Sequence, residues 1–377
     1  MQQLRYSLLL VLMAFIAVCG WAQTPTNATA QVTEVTADVR DNDLGSFEPF
    51  EVVPLASKDV LTADAGRSIG LSLKVEVLER LRRERLHSWN WSLPEVWGES
   101  PLHWEGFVLN APVITVGTTH GADGATTREA YAPQLIAYRL VAPGCSGTLV
   151  LLADGFVGRF NVQGVDYELG LTGSESEVLY TLFDVGDALE TSSFSCAVDD
   201  HEVAIMGLQP ATGHAPEGTP CVQVALDLDA FTVSQFPSTY EAVEWALVTL
   251  AAVDEVYLTE LENGVTLNAD YVHVWEGSDP YEGFVGQAGD MLDAVRDEWA
   301  TNADLASIDR DIVHLMTMRT NTGTGGIAYL GTGCDDYSHV GFSQGMTGET
   351  TFAAGTYAWN VHVVAHELGH NFGARHT

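Results

Sequence analysis

Apolar positions recur along this chain with three different patterns, and each change of pattern marks an expected change of architecture. Residues 8–18 are continuously apolar behind the single cation Arg5 and give way to Gly20-Trp21-Ala22. Such a run is too short to span a bilayer and predicts a secretory leader, residues 1–22, cleaved after Ala22. No later segment is long and apolar enough to insert in a membrane, so a secreted, extracellular protein is expected. Residues 23–65 are rich in Thr, Ala, Val and Asp without a sustained period. Residues 73–86 place Val75, Leu78 and Leu81 on one stripe among Arg and Glu, an amphipathic helix with a solvated charged face. Arg82-Arg83-Glu84-Arg85 also resembles a basic processing site, but it falls within that helix pattern.

Between 107 and 182 the runs 107–109, 113–116, 149–152 and 160–162 are β-branched and apolar, punctuated by Gly and Asp at 153–155 and 163–166. An antiparallel β-rich domain is predicted over 23–206. Residues 207–220 turn to Gly, Pro, Ala and Thr without periodicity, a linker. Beyond it strands alternate with helices: strand 222–228, helix 239–261, strand 265–275, helix 287–299, strands 312–318 and 325–331, and a closing helix 357–372. Ser238-Thr239-Tyr240-Glu241 is a capping box for the first helix, whose stripe is Val243, Leu247, Leu250 and Val253. Val361, Val364, Ala365, Leu368 and Phe372 form the stripe of the last. The expected class for 221–377 is α+β, a sheet with covering helices.

Composition narrows the function. Lys and Arg total 16 against 51 Asp and Glu, a formal charge of −35, which opposes binding to nucleic acid or to an anionic surface. Charged residues are only 18% of the 377, so the excess is spread over a globular protein and not gathered in a tail. Beyond the leader, Cys145, Cys196, Cys221 and Cys334 would meet an oxidising compartment, where disulfides of undetermined connectivity are expected.

The closing helix carries the candidate chemistry, His366-Glu367-Leu368-Gly369-His370-Asn371-Phe372-Gly373-Ala374-Arg375-His376. His366 and His370, four apart, stack on one helical face at a spacing suited to one tetrahedral zinc. Gly373 can take positive φ, end the helix and let His376 supply a third nitrogen. Three protein ligands leave a fourth position for water, the arrangement of a catalytic Zn2+. Glu367 would stand beside the metal as general base toward a zinc-activated water, passing its proton to the leaving amine. A bare HExxH is weak evidence; the added Gly and third His make the pattern much more specific. His362, also four residues before a ligand, reads as a polar neighbour of the cleft or a helix-surface residue. Asp227 and Asp229 are scattered acids that offer weak grounds for a Ca2+ site.

The motif HELGHNFGARH resembles the zinc site of metzincins, and 221–377 resembles the adamalysin/reprolysin-like peptidases, especially secreted bacterial members. Trp275 with Asp279-Pro280-Tyr281, the run Gly326-Ile327-Ala328-Tyr329, and Cys334 carry the wider resemblance. It implies a mixed twisted sheet with an active-site helix and long backing helices, and hydrolysis of internal peptide bonds of polypeptide substrates. It also implies that Gly326, Ile327, Ala328, Tyr329 and Leu330 form an edge strand binding substrate main chain as an added strand. Segments 147–151 and 165–169 resemble a reprolysin-type propeptide, which implies the chain's own prodomain as intramolecular inhibitor. Cys196 is then a latency candidate, its thiolate a fourth zinc ligand, against the alternative of a disulfide with Cys145 or another cysteine. Two features depart from the family: Thr377 stands where adamalysins usually have Asp, and the family's methionine turn and the partner of Cys334 would lie beyond Thr377. A C-terminally incomplete peptidase domain is therefore expected. The rival readings are a secreted binding or adhesion protein with a relic zinc site, against which the intact Glu367 argues, and a zinc hydrolase of a non-peptide substrate.

Overall fold

Upstream, β-branched and aromatic residues alternate with small polar ones over short runs, which suits a half-buried pleated surface. In the computed structural model these runs pair into a ten-stranded sheet. Its order is Ser46–Phe47, Ser88–Trp91, Leu102–Phe107, Ile136–Leu140, Cys145–Leu151, Phe156–Val162, Val165–Ser174, Glu177–Asp184, Ser68–Leu73 and Phe50–Val53. Every pairing is antiparallel except the first. One face buries Trp89, Trp91, Trp104, Tyr138, Phe156 and Phe160, and the helix Val75–Glu84 adds Leu78 and Leu81 to that core. The helix begins later than the pattern suggests because Leu73 still pairs with Phe50. The structure describes residues 46–55, 67–98, 100–107, 112–122, 124–153, 155–174, 177–188, 195–198, 221–261, 264–332, 339–347 and 357–376. The expected leader 1–22 and linker 207–220, together with Cys334 and Thr377, lie outside them.

Downstream, apolar runs such as Cys221–Leu228 and Ile312–Met316 are near-continuous because both faces of their sheet are covered, as parallel sheets require. The order is Gly326–Ala328, Val340–Ser343, Ile312–Met316, Cys221–Leu228, Tyr271–Glu276, Ile114–His120 and Thr126–Tyr131, with Thr266–Asn268 also pairing to Cys221–Leu228. The run expected as one strand over 265–275 is thus two, broken at Ala269 and Asp270. The last two strands of the sheet come from the upstream part of the chain. Thr115 to His120 lie parallel to Tyr271 to Glu276, six residues in register. The short run noted at 113–116 therefore belongs to the downstream sheet, and sheet membership does not follow the 207–220 linker.

On one face, Leu226, Leu228, Val272 and Val274 pack with Val116 and with the helices Thr239–Glu260 and Tyr357–Asn371. On the other, Ala225, Val313 and Phe342 meet Met291, Leu292, Val295 and Trp299 of the helix Ala288–Thr301. The long helix opens at its box, the Ser238 side chain accepting from Glu241 N. It is buried on nearly all sides because the upstream sheet covers the flank that the downstream sheet leaves: Ala137, Val150 and Val157 join the same core. Each such buried Val or Leu contributes about 1.5–3 kcal/mol relative to exposure. Among the described residues, no helix is long and apolar enough to cross a membrane.

Candidate metal centre

The helix Tyr357–Asn371 carries the candidate site, and several contacts fix its position. Tyr257 donates its hydroxyl to Ala365 O at 2.8 Å, and Tyr357 donates to Val248 O at 2.9 Å, tying the helix to its long neighbour. Asn371 donates to Tyr329 O at 3.1 Å and Val340 O at 3.0 Å, joining the helix end to the sheet. Gly373 has φ 91°, a conformation that costs glycine little, and its N–H closes on His370 O at 2.8 Å. The chain then turns back, and His376 reaches the face that presents His366 and His370.

The three imidazoles converge. His366 Nε2 lies 3.0 Å from His370 Nε2 and 3.2 Å from His376 Nε2. A tetrahedral zinc with nitrogen ligands at about 2.0–2.1 Å separates them by roughly 3.3–3.4 Å, so the set fits one such ion. His370 Nδ1 is 2.7 Å from Ala374 O, which holds the proton on Nδ1 and leaves the Nε2 lone pair facing the other rings. Burial, then His370 and His376, push His366 down to about 3, so near neutral pH its ring is uncharged and can ligate.

Cys196 completes the cluster from the upstream part. Its Sγ is 3.4 Å from His370 Nε2, and the four donor atoms of Cys196, His366, His370 and His376 lie within 4.8 Å of one another. A sulfur–nitrogen edge of a tetrahedral zinc site is about 3.5 Å. Cys145, Cys196 and Cys221 form no disulfides with one another, so the disulfide alternative for Cys196 with Cys145 does not hold in this structure. The segment around Cys196 lies along the sheet edge: Cys196 bridges Gly326 in parallel, Ala197 N donates to Gly326 O at 3.1 Å, and Gly325 N donates to Ser195 O at 2.6 Å.

Glu367 is fully buried, with Oε2 3.7 Å from the Cys196 thiol and Oε1 without a hydrogen-bond partner. Burial raises its carboxyl well above the ordinary range, and the thiol pulls the other way. Gly326 faces it so closely that a Cβ there would stand 2.5 Å from Glu367 Oε1. The edge strand is shorter than expected, Gly326–Ala328. Ile327 pairs with Phe342, but Tyr329 and Leu330 lie beyond the strand, and the Tyr329 ring turns toward Arg296 and Asp293. His362 stands apart from the cluster of Cys196 and the three histidines, its ring 6.3 Å from that of His366, on a cavity of about 120 Å³ shared with Arg159 and Glu255.

The Reprolysin_5 family model, described as metallo-peptidase family M12, matches residues 219–377. That segment is metzincin-like metallopeptidase. Among solved structures, metalloproteinase-II from Bacteroides fragilis is similar at 11% identity and TM-score 0.45, over 77% of this chain and 81% of that one. A chaperone–substrate complex is similar at 15% identity and TM-score 0.30, over 41% of this chain and 24% of that one. Among curated proteins, no sequence matches.

In the metallopeptidase segment the other acids considered serve as anchors. Asp227 accepts from Trp275 Nε1 at 3.0 Å, Tyr281 Oη at 2.7 Å and Trp299 Nε1 at 2.8 Å. Asp229 accepts from Thr232 N at 2.7 Å and Thr317 Oγ1 at 2.5 Å and faces Arg319 at 3.3 Å, so the oxygens of both carboxylates already meet donors. Asp279 takes Arg319 with both oxygens, at 3.1 and 2.7 Å, and also the N–H of Ala230 and Tyr281. The Trp275 and Asp279-Pro280-Tyr281 match is thus a brace at the end of the sheet. Asn371 and Tyr257, which hold the helix, were not singled out in the sequence; Asn371 lies inside the motif, but nothing local reveals its partners.

Proposed function

We propose that the chain is the latent precursor of a secreted zinc endopeptidase, with His366, His370 and His376 as metal ligands and Glu367 as general base. The observation that carries this reading is the fourfold convergence of Cys196 with the three histidines, made by a segment that lies on the sheet edge as a polypeptide strand. A zinc ion held there supplies Lewis-acid polarisation of the scissile carbonyl. The rest is performed by the chain. Gly325 and Gly326 offer the N–H and C=O that now bind 195–197, and these would hold substrate main chain instead. A cavity of about 190 Å³ lined by Thr324, Gln344 and Trp359 beside Ser195 would receive a side chain. Glu367, within 3.7 Å of the position held by sulfur, would take the proton of the attacking water and return it to the leaving amine once the thiol leaves. Latency follows because the thiol fills the position and the segment fills the edge.

Elemental analysis of the purified chain tests the reading. About one zinc per chain is expected, lost in His366→Ala and weakened in Cys196→Ala. Cys196→Ala should also cleave an unstructured polypeptide, and adding Glu367→Gln should reduce that cleavage by about 10²–10⁴-fold. Folded wild type that takes up no zinc, together with a Cys196→Ala variant that cleaves nothing, would overturn it.

A further inference from the structure

The hairpin formed by Ile114–His120 and Thr126–Tyr131 is the upstream part's deepest engagement with the metallopeptidase segment. Thr115 N donates to Asp270 O at 2.9 Å, and Gly121 N donates to Glu276 O at 2.8 Å, so the ladder is tied at both ends. Thr119 Oγ1 lies 3.2 Å from the buried His273 Nε2. Arg128 reaches Ser307 Oγ at 2.9 Å, Tyr131 Oη donates to Glu244 at 2.7 Å, and the Tyr131 and Tyr240 rings stack with centroids 4.4 Å apart. Ile114 and Val116 lie in the core that holds Leu226 and Val274. Arg139 pairs with the buried Glu255 and, at 3.5 Å, with Asp254. Glu168, itself fully buried, accepts from Ala358 N in the first turn of the metal-bearing helix at 2.7 Å. Taking the upstream part away would leave Tyr271–Glu276 as an open edge strand and would deprive the buried Asp254 and Glu255 of Arg139.

The segment 195–198 is held far more lightly. Among the described residues, the main-chain bonds that tie it to the metallopeptidase segment are the two to Gly325 and Gly326 and one from Thr324 Oγ1 to Ser195 O at 2.7 Å, while Val198 N turns inward to the Cys196 sulfur at 3.4 Å. The sulfur adds its contacts with His370 and Glu367.

We propose that the upstream part is a permanent second subunit of the peptidase, bound through the 114–131 hairpin, and that only the strap 195–198 leaves when the chain is cut between 199 and 220. The strap half of this proposal rests on the latency reading above; the subunit half rests on the sheet alone. In this arrangement one bond cleavage frees the C-terminal end of the strap while the sheet keeps all its strands.

The test places a site-specific protease sequence between Gly213 and His214 in the full chain, cuts it, and follows the two fragments by native size exclusion. Co-elution is expected, with separation only in denaturant. Fragments that part in native buffer would overturn the subunit, whether or not the protein binds zinc or cleaves anything. Iodoacetamide labelling mapped by peptide mass is expected to reach Cys196 in the cut but still associated form and not in the intact chain. Labelling that appears only after the fragments separate would overturn the strap. A Cβ at Gly117 would stand 1.9 Å from Tyr271 Oη, so in cut Gly117→Val the fragments should separate at concentrations where wild type holds together. Equal association would remove the hairpin from the explanation; a variant that does not fold leaves the decision with the wild-type cut.

Discussion

At Gly326 a single missing carbon decides whether Glu367, the proposed general base, can sit where it does. A Cβ would stand 2.5 Å from Glu367 Oε1 and 2.6 Å from its Cγ, and Glu367 is too buried to swing aside. Gly326→Ala should therefore leave zinc content unchanged, because no histidine is touched, while kcat/KM in the Cys196→Ala background falls by about 10²-fold through misplacement of the carboxylate. Unchanged kcat/KM would show that the carboxylate has room to move. Asp227 makes the same point by donors. Burial pushes its carboxyl up to about 7, while Trp275, Tyr281 and Trp299 all donate to it. Asn has one oxygen, and an indole N–H cannot accept, so either orientation of its amide meets a Trp donor with an NH2. Asp227→Asn should lose about 1–3 kcal/mol in urea unfolding at neutral pH, and a loss under 0.5 kcal/mol would count against the bond network.

In the first turn of the helix Tyr357–Asn371, Glu168 of the strand Val165–Ser174 supplies an acceptor for Ala358 N. A carboxylate at a helix N-terminus also meets the positive end of the dipole. Glu168→Ala should cost about 1–2 kcal/mol and raise amide hydrogen exchange at residues 358–361, with Glu168→Gln between. Exchange at that turn equal to wild type would refute the cap. This is also the scale at which the sequence stops being legible. The helix periods, the Ser238 box and the histidine spacing are local, and the structure puts His366, His370 and His376 within one cluster as the spacing implies. Glu168 looks like any polar residue of an alternating strand, because its partner lies 190 residues away. The 113–116 run announced a strand but could not say which sheet it would join, since parallel pairing carries no turn signal. Asp227 and Asp229 looked like loose acids because what they meet, indoles and an arginine, comes from three other elements.

Across the whole molecule, the downstream sheet buries two histidines on the strands that flank Cys221–Leu228. Burial holds both His273 and His314 down to about 3, with Arg128 adding to the effect on His273. His273 faces Thr119 and Tyr271, the first of these from the upstream hairpin, and His314 faces Ser343. The ordinary histidine value is about 6.5, so between there and pH 3 the unfolded chain binds protons that the folded chain refuses. The contribution of these two rings to stability is thus complete above about pH 6.5 and is lost as pH falls, by up to about 1.4 kcal/mol per pH unit for each ring. Asp227, and Asp311 pushed up to about 6, bind protons more readily folded than unfolded and oppose that loss, as do Glu367, Asp229, Asp254 and Glu255, which burial also raises. Urea unfolding from pH 7 to pH 4 should show the net slope. His314→Leu should lower the change in stability per unit rise in pH by about 1.4 kcal/mol across pH 4–6, whatever the sign of the net slope and whatever it does to stability at pH 7. An unchanged slope would mean that the His314 ring takes a proton without unfolding the sheet.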